Sequence, residues 1–259
     1  MIMRYIGIFL LSVILTAPVF ASGQVNVQLG KSDLRFGPYS QEEFSSFIDP
    51  LVNQEMARAN VPGLVFVLVK DGKVFYSKGY GFSSVSGQVK VDPQKTVFPV
   101  GSLSKTITAT ALMKLVEQGK LSLIDPVNKF LDAVSVRDKS GQPLDSVRVW
   151  DLLTHTAGFL DNNTALFSYS PLKTSLKDFL SARLPKAWLD PGKACVYSNF
   201  GPSLAGYLVE SVSGKSFEQY VYEEVTQPLG MVNSGFVHPV KAPLDLACGY
   251  SLSKTALVS

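Results

Sequence analysis

A serine and a lysine separated by two residues, Ser102 and Lys105, open a long helix-forming run and constrain this chain more than any other feature. Residues three apart on a helix share a face, so the two side chains are predicted to lie within hydrogen-bonding distance. Serine is a weak nucleophile unless a nearby base accepts its proton, and a partly desolvated amine can do so. The pattern therefore indicates an activated nucleophile, although Ser102 also fits a simple helix N-cap.

A second polar motif, Tyr197-Ser198-Asn199-Phe200-Gly201, follows Pro191-Gly192 and precedes another apolar helix pattern. A phenol near the serine and lysine can carry a proton to a leaving group, and a side-chain amide can bind a substrate amide or carbonyl. The alternative is a turn tyrosine followed by an asparagine that bonds its own backbone. Together with the first motif, this segment predicts a second half-site.

These two motifs, in this order and with Leu152 to Gly158 between them, resemble the class C group of serine β-lactamase-like hydrolases. That group also includes D-alanyl-D-alanine carboxypeptidases and small-molecule esterases. The resemblance runs from about residue 40 to about residue 250. Its other matches are Val61-Pro62-Gly63, Leu229-Gly230-Met231 and Ala247-Cys248-Gly249-Tyr250.

The resemblance implies that Ser102, Lys105 and Tyr197 are catalytic and that Asn199 binds substrate. The implied reaction is hydrolysis of an amide or ester bond through an acyl-enzyme on Ser102, with a β-lactam, a D-alanyl peptide or a small ester as substrate. It needs no cofactor and no metal. The implied fold is α+β, of the β-lactamase/transpeptidase-like type, with an antiparallel sheet flanked by helices and a mainly helical insert.

One part of the family pattern, the third motif Lys-Thr-Gly or His-x-Gly on a late strand, has no counterpart in this sequence. The nearest string, Lys254-Thr255-Ala256, lacks the glycine and follows Tyr197 too closely. In the family a backbone N–H beside this motif is an oxyanion donor, and loss of one such donor typically costs about 10² to 10³ in rate. We expect residues 22–259 to form a catalytic domain truncated at its C-terminus, with late sheet strands missing. The alternative function is an inactive family member or a binding scaffold.

Residues 1–21 have the pattern of a cleavable signal peptide. Arg4 provides the positive flank, residues 6–17 form an apolar core, and Val19-Phe20-Ala21 is a small-residue cleavage site. The core is too short to cross a bilayer, which needs roughly 20 residues. We expect cleavage after Ala21, a secreted or periplasmic mature protein, and no stable membrane span.

Composition and charge exclude several other classes of protein. Hydrophobic residues make up 46% of the chain and charged residues 17%, which is typical of a globular protein. The net charge is only +3 and the basic residues are scattered, so no nucleic-acid partner is expected. Gly79-Tyr80-Gly81 lacks the third glycine of a phosphate-binding loop and is predicted to be a turn. The expected partner is a small-molecule or peptide substrate, with the oligomeric state left open.

The cysteines and histidines limit the alternative chemistries. Cys195 and Cys248 can form a single disulfide in an oxidising compartment or stay as buried free thiols, which is the more common state. His155 and His238 are isolated, so no cluster has metal-site spacing. His155 lies in an apolar helix-end pattern, for which a packing role is usual.

Local patterns predict where the main elements begin and end. Residues 64–69 and 73–79 are predicted as two strands joined by a turn at Asp71-Gly72. Apolar residues at helix spacing follow Ser102 up to a C-cap at Gly119.

An N-terminal helix is predicted to start at a capping box, Ser40-Gln41-Glu42-Glu43, and to be kinked or restarted at Pro50.

Overall fold

A computed structural model describes residues 38–161, 174–236, 243–252 and 257–258. The predictions for the signal peptide and for Lys254-Thr255-Ala256 concern residues outside these ranges. Contacts divide the chain into a unit of residues 1–48 and a unit of residues 49–259, and the core and the site described below belong to the second unit.

The described residues alternate helices with short strands. The helices are α1 (Gln41–Ala59), α2 (Ser104–Glu117), α3 (Val149–Leu153), α4 (Leu176–Arg183), α5 (Phe200–Ser213) and α6 (Phe217–Val221). Two 3₁₀ turns cover Gly101–Leu103 and Val127–Phe130, and a π-helical turn covers Tyr222–Thr226. The strands are β1 (Gly63–Lys70), β2 (Lys73–Ser84), β3 (Val89–Lys90), β4 (Ser251–Leu252) and β5 (Leu257–Val258). Within the described ranges, no helix is long and apolar enough to cross a membrane.

Strands β1, β2 and β3 form an antiparallel sheet in that order, with the predicted Asp71-Gly72 turn between the first two. Strands β4 and β5 pair only with each other in the part of the chain that is described. The prediction of a turn at Gly79-Tyr80-Gly81 is wrong, because β2 continues through these residues to Ser84. The glycines are there for space: a Cβ on Gly79 would lie 2.3 Å from the backbone oxygen of Val91.

This close approach makes Gly79→Ala a test of the sheet geometry. The added methyl group meets a backbone oxygen, which cannot move aside as a flexible side chain can, so we expect a loss of about 1–3 kcal/mol in the free energy of unfolding. Chemical denaturation measures this loss. Gly235→Ala is the matched control, since a Cβ at Gly235 has no atom within 4 Å. Equal stability of the two variants would contradict the tight packing described here.

The main hydrophobic core lies between α2 and α5, the elements that carry the two sequence motifs. Ala111, Leu112 and Leu115 of α2 are fully buried, as the helical spacing predicts, and so are Leu204 and Leu208 of α5. Helix ends beside such a core are fixed by its packing. The two motifs are therefore held on a rigid base.

The predicted start of α1 is confirmed, since the Ser40 hydroxyl accepts a hydrogen bond from the Glu43 backbone N–H at 3.2 Å. The predicted restart at Pro50 is wrong, because α1 is continuous through this residue. Proline removes one backbone donor, and burial of the later apolar positions Val52 and Met56 favours the helix in spite of that cost.

Candidate active site

Ser102 lies in the 3₁₀ turn that leads directly into α2. The preceding Gly101 has a φ of +53°, a left-handed conformation that residues with a side chain rarely adopt, and it turns the chain into the helix. The predicted helix start is thus confirmed, with a tighter first turn than expected. The Leu103 backbone N–H of this turn donates to the Val100 backbone oxygen at 3.2 Å, so the backbone N–H of Ser102 itself is the group of this turn that can face an oxyanion.

The Ser102 hydroxyl is bonded to both of the other side chains predicted to be catalytic. Its Oγ lies 2.6 Å from the hydroxyl oxygen of Tyr197, and Lys105 Nζ donates to the same Oγ at 3.0 Å. Lys105 Nζ also lies over the Tyr197 ring, 4.9 Å from its centroid. The structure therefore brings Ser102, Lys105 and Tyr197 together as one hydrogen-bonded group, from positions 95 residues apart in the chain.

Asn199, the predicted substrate-binding residue, contacts this group through Lys105. Lys105 Nζ donates to Asn199 Oδ1 at 2.7 Å, and Asn199 Nδ2 donates to Asp161 Oδ2 at 2.9 Å. One hydrogen of the amide nitrogen is left for a substrate. Substrate binding by Asn199 remains a prediction, and the structure adds an orienting contact to Lys105.

Tyr197 stands half-exposed on a turn whose neighbours are fixed. Ser198 is only 2% exposed, and its hydroxyl donates to Asp161 Oδ1 at 2.6 Å. The Ser198 backbone N–H donates to His155 Nδ1 at 3.3 Å, and the rings of His155 and Tyr197 lie 4.6 Å apart. The phenol is thus presented to Ser102 by a turn that is anchored on two sides.

The electrostatics of the site favour ionisation of Tyr197. Partial burial raises the pKa of the phenol, but the hydrogen bonding and positive charge of Lys105 and the hydrogen bond with Ser102 outweigh it, so the pKa of Tyr197 lies below its ordinary value of 10.0. A phenol with a lowered pKa exchanges protons more readily near neutral pH. The Lys105–Tyr197 pair is therefore suited to proton transfer.

A cavity of about 430 Å³ adjoins Lys105 and Asn199. Its walls are mostly apolar and also carry hydroxyl groups; they include Leu176, Phe179, Phe217, Phe236, Thr108, Ser175 and Ser203. A cavity of this kind can take an apolar group of a substrate next to Lys105 and Asn199.

A family model described as Beta-lactamase matches residues 48–257, which contain every residue of this site. The chain belongs to the beta-lactamase family. The α+β fold expected from the sequence is confirmed, since solved structures of this fold match the chain.

Among curated proteins, this beta-lactamase family chain is 29% identical over 214 residues to Protein flp of Staphylococcus aureus strain NCTC 8325, covering 82% of the chain and 42% of the relative. The octameric penicillin-binding protein homologue from Pyrococcus abyssi is 33% identical, with a TM-score of 0.68 over 82% of this chain and 49% of that one. A class C beta-lactamase in complex with cefoxitin is 30% identical, with a TM-score of 0.65, and the match covers 84% of this chain and 58% of that one. The chain thus spans about two fifths of the length of the curated relative.

Two residues of this beta-lactamase family site escaped sequence reasoning. His155 was expected to pack in the core, but it contacts the Tyr197 turn because a φ of +60° directs the chain there from the end of α3. Asp161 gives no signal in the sequence, since a lone aspartate after a glycine-containing loop has no spacing pattern. The cysteines are both free and exposed, which corrects the expectation of buried thiols; Cys195 Sγ donates to the Thr154 backbone oxygen.

His155 gives a pH-dependent prediction. Burial and the nearby Lys105 charge lower its pKa below 6.5, against the opposing effects of the Ser198 backbone and Asp161. As the pH falls below 6.5, the unfolded chain takes up this proton before the folded chain does, so the free energy of unfolding decreases. Thermal melts at about pH 7.5 and about pH 5.5 should show this decrease.

The matched variant is His155→Asn, which tolerates the left-handed backbone and has no titrating group. We expect its melting temperature to fall less between the two pH values than that of the unmutated protein. An equal fall in both proteins would contradict a neutral His155 bonded to the Ser198 N–H.

Proposed function

We propose that this chain is a serine hydrolase that cleaves amide or ester bonds through an acyl-enzyme on Ser102. The observation that carries the proposal is the placement of Ser102 Oγ between the Tyr197 hydroxyl, at 2.6 Å, and Lys105 Nζ, at 3.0 Å. A serine hydroxyl held by two proton-transfer groups is the arrangement that nucleophilic catalysis requires.

In the proposed reaction, Lys105 first gives one proton to the phenol oxygen of Tyr197, and Ser102 Oγ then bonds to the substrate carbonyl carbon as its own proton passes to Lys105 Nζ. Tyr197 donates its proton to the leaving amine or alkoxide as the bond to that group breaks, and Lys105 returns a proton to Tyr197. The Ser102 proton thus ends on the leaving group. Water then attacks the carbonyl carbon of the acyl-enzyme and the bond between that carbon and Ser102 Oγ breaks. The proton lost by the water passes through Tyr197 and Lys105 to Ser102 Oγ, and the acid is released.

The substrates proposed are β-lactams, D-alanyl peptides or small esters. The similarity to a penicillin-binding protein homologue and to a class C beta-lactamase crystallised with cefoxitin supports this range. The rate of hydrolysis of the acyl-enzyme separates a β-lactamase from a penicillin-inhibited peptidase. Export to the periplasm or exterior is part of the proposal and is supported by the signal-peptide pattern of residues 1–21.

The experiment is a hydrolysis assay on one compound from each class: nitrocefin, N-acetyl-D-alanyl-D-alanine and p-nitrophenyl acetate. We expect turnover of at least one of them, or a stable adduct with nitrocefin, and loss of that signal in Ser102→Ala. A folded protein that neither hydrolyses nor retains any of the three would overturn the proposal and favour the inactive alternative.

A further inference from the structure

We infer that Asp161 is a positioning residue for the nucleophile, acting through Asn199 and Lys105. Its carboxylate holds the Asn199 amide in the one orientation that presents an oxygen to Lys105, and this bond in turn fixes Lys105 against Ser102. The inference rests on the proposed function, because positioning matters only if Ser102 reacts.

Three donors from one short turn converge on the Asp161 carboxylate. The Ser198 hydroxyl donates to Oδ1 at 2.6 Å, while the Asn199 backbone N–H and side-chain Nδ2 donate to Oδ2 at 2.8 and 2.9 Å. Hydrogen bonds to an ionised acceptor are stronger than neutral ones. Both residues that follow Tyr197 are therefore fixed by a single side chain from outside their own loop.

The carboxylate decides which way the Asn199 amide points. With Nδ2 bound to Asp161, the opposite end of the amide places Oδ1 at 2.7 Å from Lys105 Nζ. A flipped amide would set its oxygen against the carboxylate and its N–H groups against the ammonium, and both contacts would be repulsive. An uncharged, non-accepting side chain at position 161 would remove one of these two penalties.

The orientation of Asn199 matters because Lys105 has a long, flexible side chain. Its ammonium donates to Asn199 Oδ1 and to Ser102 Oγ, at 2.7 and 3.0 Å, so the two acceptors together define where Nζ lies. Loss of one acceptor leaves the lysine free to adopt other rotamers, and small displacements of a proton-transfer group lower the rate strongly.

The same bonds also hold the start of α5, since Asn199 is the residue before its first turn. A purely structural role for Asp161 therefore has to be separated from positioning. A double-mutant cycle does this, because a residue that acts through Asn199 has no further effect once the Asn199 side chain is removed.

The experiment measures the rate of covalent labelling by a fluorophosphonate in four full-length proteins: unmutated, Asp161→Ala, Asn199→Ala and the double variant. We expect Asp161→Ala to label about 10- to 100-fold more slowly than the unmutated chain, the range for a hydrogen bond to a charged group. In the Asn199→Ala background, the same change should alter the rate by less than about twofold.

Two further variants serve as controls. In Asp125→Ala the carboxylate that is lost accepts a hydrogen bond from the backbone N–H of Ser122, at 2.8 Å, in another turn. This variant should be labelled at the same rate as the unmutated protein. Asp161→Asn keeps one acceptor oxygen and nearly the same shape, so it should fold normally and label faster than Asp161→Ala. If Asp161→Ala does not fold, Asp161→Asn replaces it in the cycle: it should label more slowly than the unmutated protein and leave the rate of Asn199→Ala unchanged.

Each other outcome is decisive. An unchanged labelling rate in Asp161→Ala, or an equal slowing in both backgrounds, would overturn the positioning role while leaving the proposed function intact. An unmutated protein that takes no label would overturn the proposed function itself, and this inference with it.

Discussion

Replacement of Ser102 by alanine is expected to abolish hydrolysis, with a loss of up to about 10⁶-fold in the rate of an active substrate, as for other serine nucleophiles. The change removes an oxygen that is hydrogen-bonded to both Lys105 and Tyr197. Steady-state assays with p-nitrophenyl acetate measure this loss of rate. The melting temperature should change little, because Ser102 is exposed and lies outside the core.

Ser104→Ala is the matched control for this prediction. Ser104 is the first residue of α2, two positions after Ser102, and its hydroxyl donates to the Gly101 backbone oxygen at 2.7 Å. It contributes no hydrogen bond to the proposed catalytic group, so its variant should retain activity. Equal activity of Ser102→Ala and Ser104→Ala would mean that the hydrolysis does not use Ser102.

The second large effect is expected for Tyr197→Phe. The variant keeps the ring that contacts His155 and Lys105 and removes only the hydroxyl, which lies 2.6 Å from Ser102 Oγ. Loss of a proton-transfer group typically lowers the rate by about 10²- to 10⁴-fold. We therefore expect kcat to fall by this amount in a hydrolysis assay, with little change in KM.

Tyr222→Phe provides the comparison, since Tyr222 is 45% exposed and begins the π-helical turn away from the motif. It should be as active as the unmutated protein. Retention of full kcat in Tyr197→Phe would contradict proton transfer through the phenol and leave Lys105 to perform the step alone.

Local sequence patterns predicted the parts of the site that depend on local geometry. The spacing of Ser102 and Lys105 places both on one helix face, and their 3.0 Å contact follows from that spacing. The Asp71-Gly72 turn and the buried face of α2 are likewise set by neighbouring residues. The local motif around Tyr197 predicts a second half-site, and the family resemblance implies that Tyr197 is catalytic. Its position opposite Ser102 depends on contacts that local patterns do not contain.

Long-range polar contacts escaped prediction for a physical reason: their partners are set by tertiary packing and leave no periodic pattern. Asp161 bonds to a turn 38 residues later in the chain. Asp49 is a second example, because its carboxylate accepts hydrogen bonds from Tyr76 at 2.7 Å and Tyr80 at 2.6 Å. Hydrogen bonds from Lys78 and then from Tyr80 lower the pKa of Asp49 to about 2, with a further contribution from Tyr76, against the opposing effect of burial.

In β2 a local pattern was present but predicted the wrong structure. Gly79 and Gly81 suggested a turn because glycine is common in turns, but in a strand it also permits close approach of another backbone. For Gly79 the position of Val91 distinguishes the two cases, and that residue is 12 positions away from Gly79.

The central claim is that Ser102 is an activated nucleophile, and intact-mass measurement after exposure to a fluorophosphonate tests it most directly. The protein should gain one covalent adduct, Ser104→Ala should gain the same adduct, and Ser102→Ala should gain none. A folded, soluble protein with no adduct, or an adduct that persists in Ser102→Ala, would contradict the account.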